Sequence, residues 1–541
     1  MSEFDYIVVG AGTAGCVLAG RLSEQADCRV LLLEAGPPPD NFWIRTPAGM
    51  APLFNSKRFN WGFYTEPVPT LQGRRVYFPR GKTLGGSSAV NGLVHNRGTR
   101  ADYDGWAQMG NAGWSWDDVL PLFRRMETNT LGPGPYHGTE GPLHVARPSI
   151  LHPTVVDFIE AAARAGLPRV ERFSGQEAEG VGQTQINVRD GVRHSAYDAY
   201  VAPVRKRPNL TVRTGVHVRR VLFEGEGRRA TGVELSDGTQ LQRIASTREV
   251  ILCAGALQSP QLLMLSGIGD GAALQRLGIS TRMHRPGVGQ NLQDHCVIRF
   301  QAESTRDSSY NRHLTGWRKY LEGLRYVSTH TGYLTMPSSP AVALVKSDPA
   351  MAYGDLQFSF RPMTFSFDAQ GHASVDSFHG LGATVYRVRP ASRGEVQLKS
   401  ADPMDAPRFI PNFLQADEDV HAMLSGIRSL RRIFATEPLA SRVVKELLPG
   451  PDCTSDDQLV DYLRGAAACA FHPAGTCKMG HDEMAVVDAR LRVHGVEGLR
   501  VVDASIMPTV TSGNTNAPVV MIGEKAADMI RADAVAARHA A

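Results

Sequence analysis

Two buried-strand patterns with a helical pattern between them open the chain. Phe4 to Val9 reads as a strand buried on both faces, Cys16 to Leu22 has apolar residues at helical spacing, and Val30 to Leu33 reads as a second buried strand. The spacing predicts an amphipathic helix from Val155 to Ala165, stopped at Gly166, and another opened by Ser195 and running to Tyr200. Leu210 to Val212 and Val216 to Phe223 read as strands, and Thr231 to Val250 as a hairpin turning at Asp237-Gly238. Glu249 to Cys253 then meets Ala254-Gly255-Ala256, after which Ser259-Pro260 is expected to open a helix with the proline near its first turn.

After His295 the pattern changes. Leu356, Phe358 and Phe360 share one face of a strand, with Gln357 and Ser359 on the other. Tyr386 to Pro390 and Gly394 to Leu398 read likewise. A helix follows Asp417, carrying Val420, Met423, Leu424, Ile427, Leu430 and Phe434 at helical spacing. The phenylalanine stripe is expected to be core rather than a ligand wall. Between 101 and 127, Trp106, Trp114, Trp116, Leu120 and Phe123 are the expected core anchors of helical pieces, whereas 37–80, rich in Pro, Gly and aromatics, shows no period and reads as an arm or lid.

The first two strands and their helix enclose Gly10-Ala11-Gly12-Thr13-Ala14-Gly15, and the second strand ends in Glu34-Ala35. This is a dinucleotide fingerprint. Gly10 permits the tight turn, Gly12 lets the backbone approach a pyrophosphate at the helix N-terminus, and Gly15 lets helix and strand pack closely. Glu34 is positioned to accept hydrogen bonds from ribose hydroxyls and disfavours a 2′-phosphate. FAD and NAD both remain open on this stretch.

Composition narrows the class. The chain has 541 residues, 42% hydrophobic and 21% charged, with a net charge of +4. It is too long for one ordinary domain. Its basic residues are dispersed, so nothing points to nucleic acid. Seven cysteines without a CxxC spacing form no disulfide framework. With the first strand read as beginning within four residues, no signal peptide is expected, and no apolar run reaches the length of a membrane span. The cytoplasm is the expected compartment, with peripheral attachment to the inner face of the membrane left open.

Three further stretches carry chemistry. Gly81-Lys82-Thr83-Leu84-Gly85-Gly86-Ser87-Ser88-Ala89-Val90-Asn91-Gly92 is dense in Gly and Ser and reads as backbone brought against a flat or charged ligand. Phe471-His472-Pro473-Ala474-Gly475-Thr476 holds a histidine in a tight, non-helical stretch. Val501-Val502-Asp503-Ala504-Ser505 leads to Ser512-Gly513-Asn514-Thr515-Asn516-Ala517-Pro518, and Val519 to Ile530 reads as a helix whose positive N-terminus would stabilise a reduced flavin.

Taken together these segments resemble the glucose-methanol-choline (GMC) oxidoreductase family nearly end to end, most closely its bacterial choline and aliphatic alcohol dehydrogenase branch. Gly255 to Pro260, Ser266-Gly267-Ile268-Gly269 and Gly289-Gln290-Asn291-Leu292 add to the match. The resemblance implies an α/β chain with a Rossmann-like, parallel-sheet FAD-binding domain and an inserted antiparallel-sheet substrate domain with flanking helices. The expected division gives 1–150, 191–295 and 461–541 to the FAD-binding domain, and 151–190 and 296–460 to the substrate domain.

The resemblance further implies oxidation of a primary alcohol by hydride transfer to flavin N5, with His472 as base and Asn514 positioning the substrate oxygen. Electrons would pass to a quinone, a carrier or O2. Choline, aryl or furanic alcohols, and a lyase or decarboxylase without net redox, stand as alternatives. The implied cofactor contacts are Gly10, Gly12, Thr13, Ala14, Gly15, Glu34, Ala35, Trp61, Arg80, Gly81, Lys82, Leu84, Gly85, Gly86, Ser87, Ser88, Asn91, Gly92, Val94, Val218, Ala254, Gly255, Asp503, Ala504, Asn514, Thr515 and Asn516. Val90 occupies the position at which some members bond FAD through a histidine, so FAD is expected to be noncovalent. His95 replaces an aromatic residue and is expected to be a packed histidine. A cage for choline could draw on Trp61, Tyr64, Phe358, Phe360 and Tyr386. The 37–80 arm would either cover the flavin or meet another subunit.

Overall fold

The computed structural model describes residues 3–173, 175–177, 179–367 and 373–540. Two seven-stranded sheets organise it. In the first, Glu3–Val9 lies between Val30–Leu33 and Leu241–Leu252, parallel to both, and Leu210–Arg213 extends the parallel set beyond Val30–Leu33. Val30–Leu33 is buried at every position because both faces of this part of the sheet are covered. Leu241–Leu252 is one continuous strand with two jobs. Its first half pairs antiparallel with Ala230–Ser236 across the Asp237-Gly238 turn, and its second half pairs parallel with Leu499–Val501. The late Asp503 segment is thereby delivered to the same sheet end as the fingerprint.

The fingerprint helix spans Thr13–Leu22, three residues longer than its apolar spacing predicts, and packs against the C-terminal helix Asn516–Ala540. That C-terminal helix contains the expected Val519 to Ile530 stretch and outruns it at both ends. The buried Glu524 carboxylate holds this layer together. It binds Arg21 at 2.9 Å and Arg125 at 2.8 Å, and accepts the Tyr200 hydroxyl at 2.7 Å.

Two helices depart from expectation. The helix expected at Ser259-Pro260 begins at Gly255 and runs to Leu265, so Pro260 is internal. Proline has no N–H to give the carbonyl four residues back. That carbonyl, on Ala256, instead accepts the Thr476 hydroxyl at 2.6 Å. The helix expected from Ser195 is a π-turn, Tyr197–Val201, with Ser195 Oγ bonded to Asp198 at 2.6 Å. Among the tryptophan anchors, Trp106, Trp114, Trp116 and Phe123 are buried, while Val119 takes the fully buried place expected of Leu120.

The second sheet is antiparallel. Cys296–Ser304, Gly380–Arg387, Leu356–Arg361 and Ala341–Val345 are neighbours in that order, with Val443–Leu448 at one edge and Gly180–Gln183 at the other. The helix Asp417–Phe434 covers one face. Leu356, Phe358 and Phe360 point into this covered side and are fully buried, as expected of a core stripe. The alternate residues face a cavity between the two sheets. The 37–80 arm folds as short helices, Phe42–Arg45 and Met50–Phe54, and a ribbon of Phe63–Tyr64 with Tyr77–Phe78. It lies along that cavity and is pinned by Glu66 N–H to the Phe409 carbonyl at 2.9 Å and by the Thr70 hydroxyl to the Phe413 carbonyl at 2.6 Å.

Candidate active site

Short antiparallel pairing brings the reactive groups together. Cys296–Val297 pairs with Ala468–Cys469, and Gln293 bridges to Ala474, so 293–297 and 468–474 run side by side. Between these contacts the Phe471 backbone takes a φ of 71°, unusual for a bulky residue, and His472 is turned inward. The Asp294 carboxylate fixes the turn by accepting the His472 backbone N–H at 2.8 Å and the Cys469 thiol at 2.7 Å.

Three hydrogen bonds define the protonation of His472. His295 Nε2 is 2.9 Å from the Val388 carbonyl, which can only accept, so Nε2 carries the His295 proton. His295 Nδ1 is therefore an acceptor, and it lies 2.9 Å from His472 Nδ1, which must donate. This leaves a lone pair on His472 Nε2, which receives the Asn514 amide N–H at 3.0 Å. Both rings stay neutral. Burial pushes His295 down to about 4. Burial, with His295 and the Arg80 guanidinium nearby, holds His472 well below the ordinary imidazole range. The Tyr386 ring stacks on His295 with centroids 4.7 Å apart. His295 is the residue sequence reasoning missed. Its signal was present in its place just after Gly289-Gln290-Asn291-Leu292, but its partner lies 177 positions away.

A cavity of about 750 Å³ runs from the fingerprint to this pair. Gly10, Gly12, Thr13, Ala14, Glu34, Ala35, Trp61, Arg80, Gly81, Gly86, Ser87, Asn91, Gly92, Val94, Val218, Ala254, Gly255, Asp503, Ala504, Asn514, Thr515 and Asn516 all line it, as do His472 and Val90. Five expected contacts stand behind the wall instead. Gly15 lies against the Gly10 carbonyl; Leu84 is core; Gly85 N–H bonds the Ala11 carbonyl; Ser88 Oγ donates to Gly85 O at 2.6 Å; Lys82 Nζ sits 4.5 Å above the Trp61 ring. Each supports a lining residue rather than lining the cavity itself.

The wall suits FAD. A Cβ on Gly12 would meet no protein atom nearer than 3.7 Å, so the protein itself leaves space there for a ligand. Gly86 closes over it from the other side, its own Cβ position only 2.7 Å from Gly12 Cα. Glu34 accepts Ala11 N–H at 3.0 Å and Gly36 N–H at 2.8 Å, which orients its remaining lone pairs for ribose hydroxyls, while burial raises it to about 7. Asp503 accepts Gly255 N–H at 2.8 Å and the Ser259 hydroxyl at 2.6 Å. Thr13 Oγ1 donates to Asn516 Oδ1 at 2.9 Å, joining the N-termini of the two packed helices at the cavity.

The aromatics considered for a cage do not gather. Phe358 and Phe360 are core, Tyr64 is exposed, Trp61 stacks on Phe63, and Tyr386 stacks on His295. His95 is a packed histidine, 3.5 Å from Glu127, and is not in the cavity wall. Among the described residues no cluster of His, Cys, Asp or Glu is placed to hold a metal ion, and no helix is long and apolar enough to cross a membrane.

Comparison with known proteins agrees with this geometry. Residues 4–297 and 390–523 match the N- and C-terminal GMC oxidoreductase family models. The chain is 42% identical over 537 residues to an oxygen-dependent choline dehydrogenase of Escherichia coli, covering 98% of this chain and 96% of that one. It is 42% identical to human mitochondrial choline dehydrogenase over 538 residues, with 98% and 90% covered. The fold superposes on pyridoxine 4-oxidase from Mesorbium loti with a TM-score of 0.88 at 32% identity, covering 98% and 99% of the two chains. It matches Aspergillus oryzae formate oxidase with a TM-score of 0.90 at 29% identity, covering 98% of each. The protein is an FAD-dependent alcohol oxidoreductase, and it belongs to the GMC oxidoreductase family.

Proposed function

We propose that this enzyme oxidises a primary alcohol to the aldehyde, with His472 Nε2 as general base and Asn514 as hydrogen-bond donor to the substrate oxygen. The observation that carries this reading is the hydrogen-bond chain from Val388 through His295, which leaves the His472 Nε2 lone pair facing the cavity. A carbinol oxygen entering between Nε2 and the Asn514 amide gives its proton to Nε2 and accepts the amide N–H as negative charge develops. FAD, when bound, takes the carbinol hydride with its two electrons. Asp294 holds the His472 backbone and His295 its ring. Val90 offers no nucleophile to the cofactor, which supports noncovalent FAD.

For the electron acceptor we propose a quinone reached at a membrane surface. Support comes from the helix Arg318–Thr329, which turns Tyr320, Leu321, Leu324 and Val327 outward beside exposed Trp317, interleaved with Arg318, Lys319 and Arg325. Phe42 is itself exposed, and its ring packs 5.9 Å from that of Tyr326 on the buried side of this helix. An amphipathic face of this kind, aromatic and basic together, suits anionic lipid. Leu314 and Tyr333, just before and after the helix, line the cavity.

Anaerobic mixing of the holoenzyme with alcohols tests the reaction through loss of flavin absorbance. His472→Ala should retain FAD and slow that loss at least ~100-fold. An unchanged rate would remove His472 from its role. Admission of air then separates a dehydrogenase, slow to regain colour, from an oxidase. Sedimentation with phosphatidylglycerol vesicles tests the membrane contact, and no loss of binding in Leu324→Glu would remove the helix from it.

A further inference from the structure

The cavity continues past His472 over the inner face of the antiparallel sheet. Side chains arrive there in register. Arg299 is opposite Thr384, and Thr384 is opposite Ser359, so the three share one face. Arg361 follows Ser359 by two positions and stands opposite Gly382 on that same face. All of these side chains line the cavity. Tyr386, two positions beyond Thr384, belongs to the catalytic end through its stack on His295.

Arg361 is 8% exposed, and its Nε is buried without a hydrogen-bond partner. Among the described residues no carboxylate forms an ion pair with it. The Tyr310 hydroxyl and Arg299, a like charge, act on it, the Phe365 ring lies 5.3 Å from its guanidinium, and it stays cationic although burial lowers it to about 10. A buried, uncompensated cation is costly to the fold. A guanidinium is also the side chain best shaped to hold a planar carboxylate through two parallel N–H bonds. Among the described residues the only carboxylates in the cavity wall are Glu34 and Asp503, both at the cofactor end and both already bonded to backbone N–H groups. Asp376 acts on the neighbouring Arg299 but does not line the cavity, and among the described residues no carboxylate in the wall reaches Arg361.

From this arrangement we infer that the alcohol oxidised here carries a carboxylate, bound by Arg361 at the far end of the cavity while the carbinol lies between His472 and Asn514. The inference rests on the proposed reaction at that pair. One available guanidinium matches a monoanion rather than a phosphate dianion. Tyr386 and Gly382 are four residues apart on one strand, roughly 13 Å, so carbinol and carboxylate are separated by several carbons and an α-hydroxy acid is too short. The wall between them includes Val297, Leu314, Met336 and Met363, which suits an apolar spacer. The substrate class is thus an ω-hydroxy carboxylate, and a quaternary ammonium alcohol would meet two arginines and, among the described residues, no acid in the wall at that end.

Anaerobic flavin reduction by the holoenzyme decides this with three probes, 8-hydroxyoctanoate, its methyl ester and choline. The acid should half-saturate the enzyme at a concentration at least tenfold below the ester, and choline should be the poorest. In Arg361→Met, checked for FAD content, the acid-to-ester ratio should fall to about one, and Arg361→Lys should restore part of it. If the Met variant does not fold, the wild-type comparison still decides. Equal or better saturation by the ester or by choline would overturn the carboxylate assignment and leave alcohol oxidation standing. Reduction by none of the three, nor by any of a panel of neutral alcohols, would overturn the proposed reaction and this inference with it.

Discussion

The Nδ1 atoms of His295 and His472 lie 2.9 Å apart, and one proton stands between them. The Val388 carbonyl decides which ring owns it, because His295 Nε2 must donate there. A base on one strand end is thus oriented by a carbonyl on another. His295→Leu removes the acceptor and leaves His472 Nδ1–H unpaired in a buried site. Flavin reduction should slow by roughly 10–100-fold, the scale seen when a hydrogen-bond partner orienting a metal-bound imidazole is removed, with FAD content retained. A variant as fast as wild type in stopped-flow absorbance would break the chain of argument from Val388.

The pH dependence has a definite sign. His472 is held below its ordinary range by burial, so it stays neutral, and competent as a base, at pH values where a solvated imidazole is already protonated. The acid limb of kcat/KM should therefore lie below the ordinary histidine value of ~6.5. Asn514→Asp would put a carboxylate 3 Å from Nε2. That charge favours the imidazolium, so the acid limb should move to higher pH. A limb that stays in place would mean that the titrating group is not His472.

Two glycines of one fingerprint should respond in opposite ways. A Cβ at Gly15 would sit 1.9 Å from the Gly10 carbonyl oxygen, a clash between two backbone segments with no flexible side chain to yield. Gly15→Ala should lower the soluble yield and the melting temperature. Gly12 has ordinary backbone angles and open space, so Gly12→Ala should fold. It should weaken FAD, with a Kd at least ~10-fold higher, the scale of a lost close contact of about 1.4 kcal/mol. Fluorescence titration of the apoprotein reads the second effect and thermal melting the first.

Glu524 is a stability residue rather than a chemical one. It is a fully buried carboxylate shared by Arg21, Arg125 and Tyr200. Glu524→Ala strands the two guanidinium groups and the hydroxyl, a loss of about 3–5 kcal/mol. The urea midpoint should fall accordingly, while the acid limb of the surviving holoenzyme stays where it is.

The sequence alone determined the fingerprint, the parallel strands on either side of it, the core stripe of Phe358 and Phe360, and the family. These are local: glycine needs, alternation and apolar runs are written in consecutive residues, and strand faces follow from them. The reactive pair was legible only through the family resemblance. His472 is marked locally only by the Pro and Gly that follow it in a tight stretch, and Asn514 only by its place just before a helix, and neither mark assigns a role.

The tertiary structure decided what depended on residues distant in the chain. The extension of a helix through Pro260 required a hydroxyl from Thr476 to take the Ala256 carbonyl, 220 positions away. The tautomer of His472 required His295 and Val388, delivered by two other strands. That Arg361 has no carboxylate partner among the described residues is a property of the groups that surround it, and those come from several strands and loops of the second sheet. Hydrogen-bond partners and desolvation belong to the packed surroundings of a side chain, and no spacing along the chain encodes them.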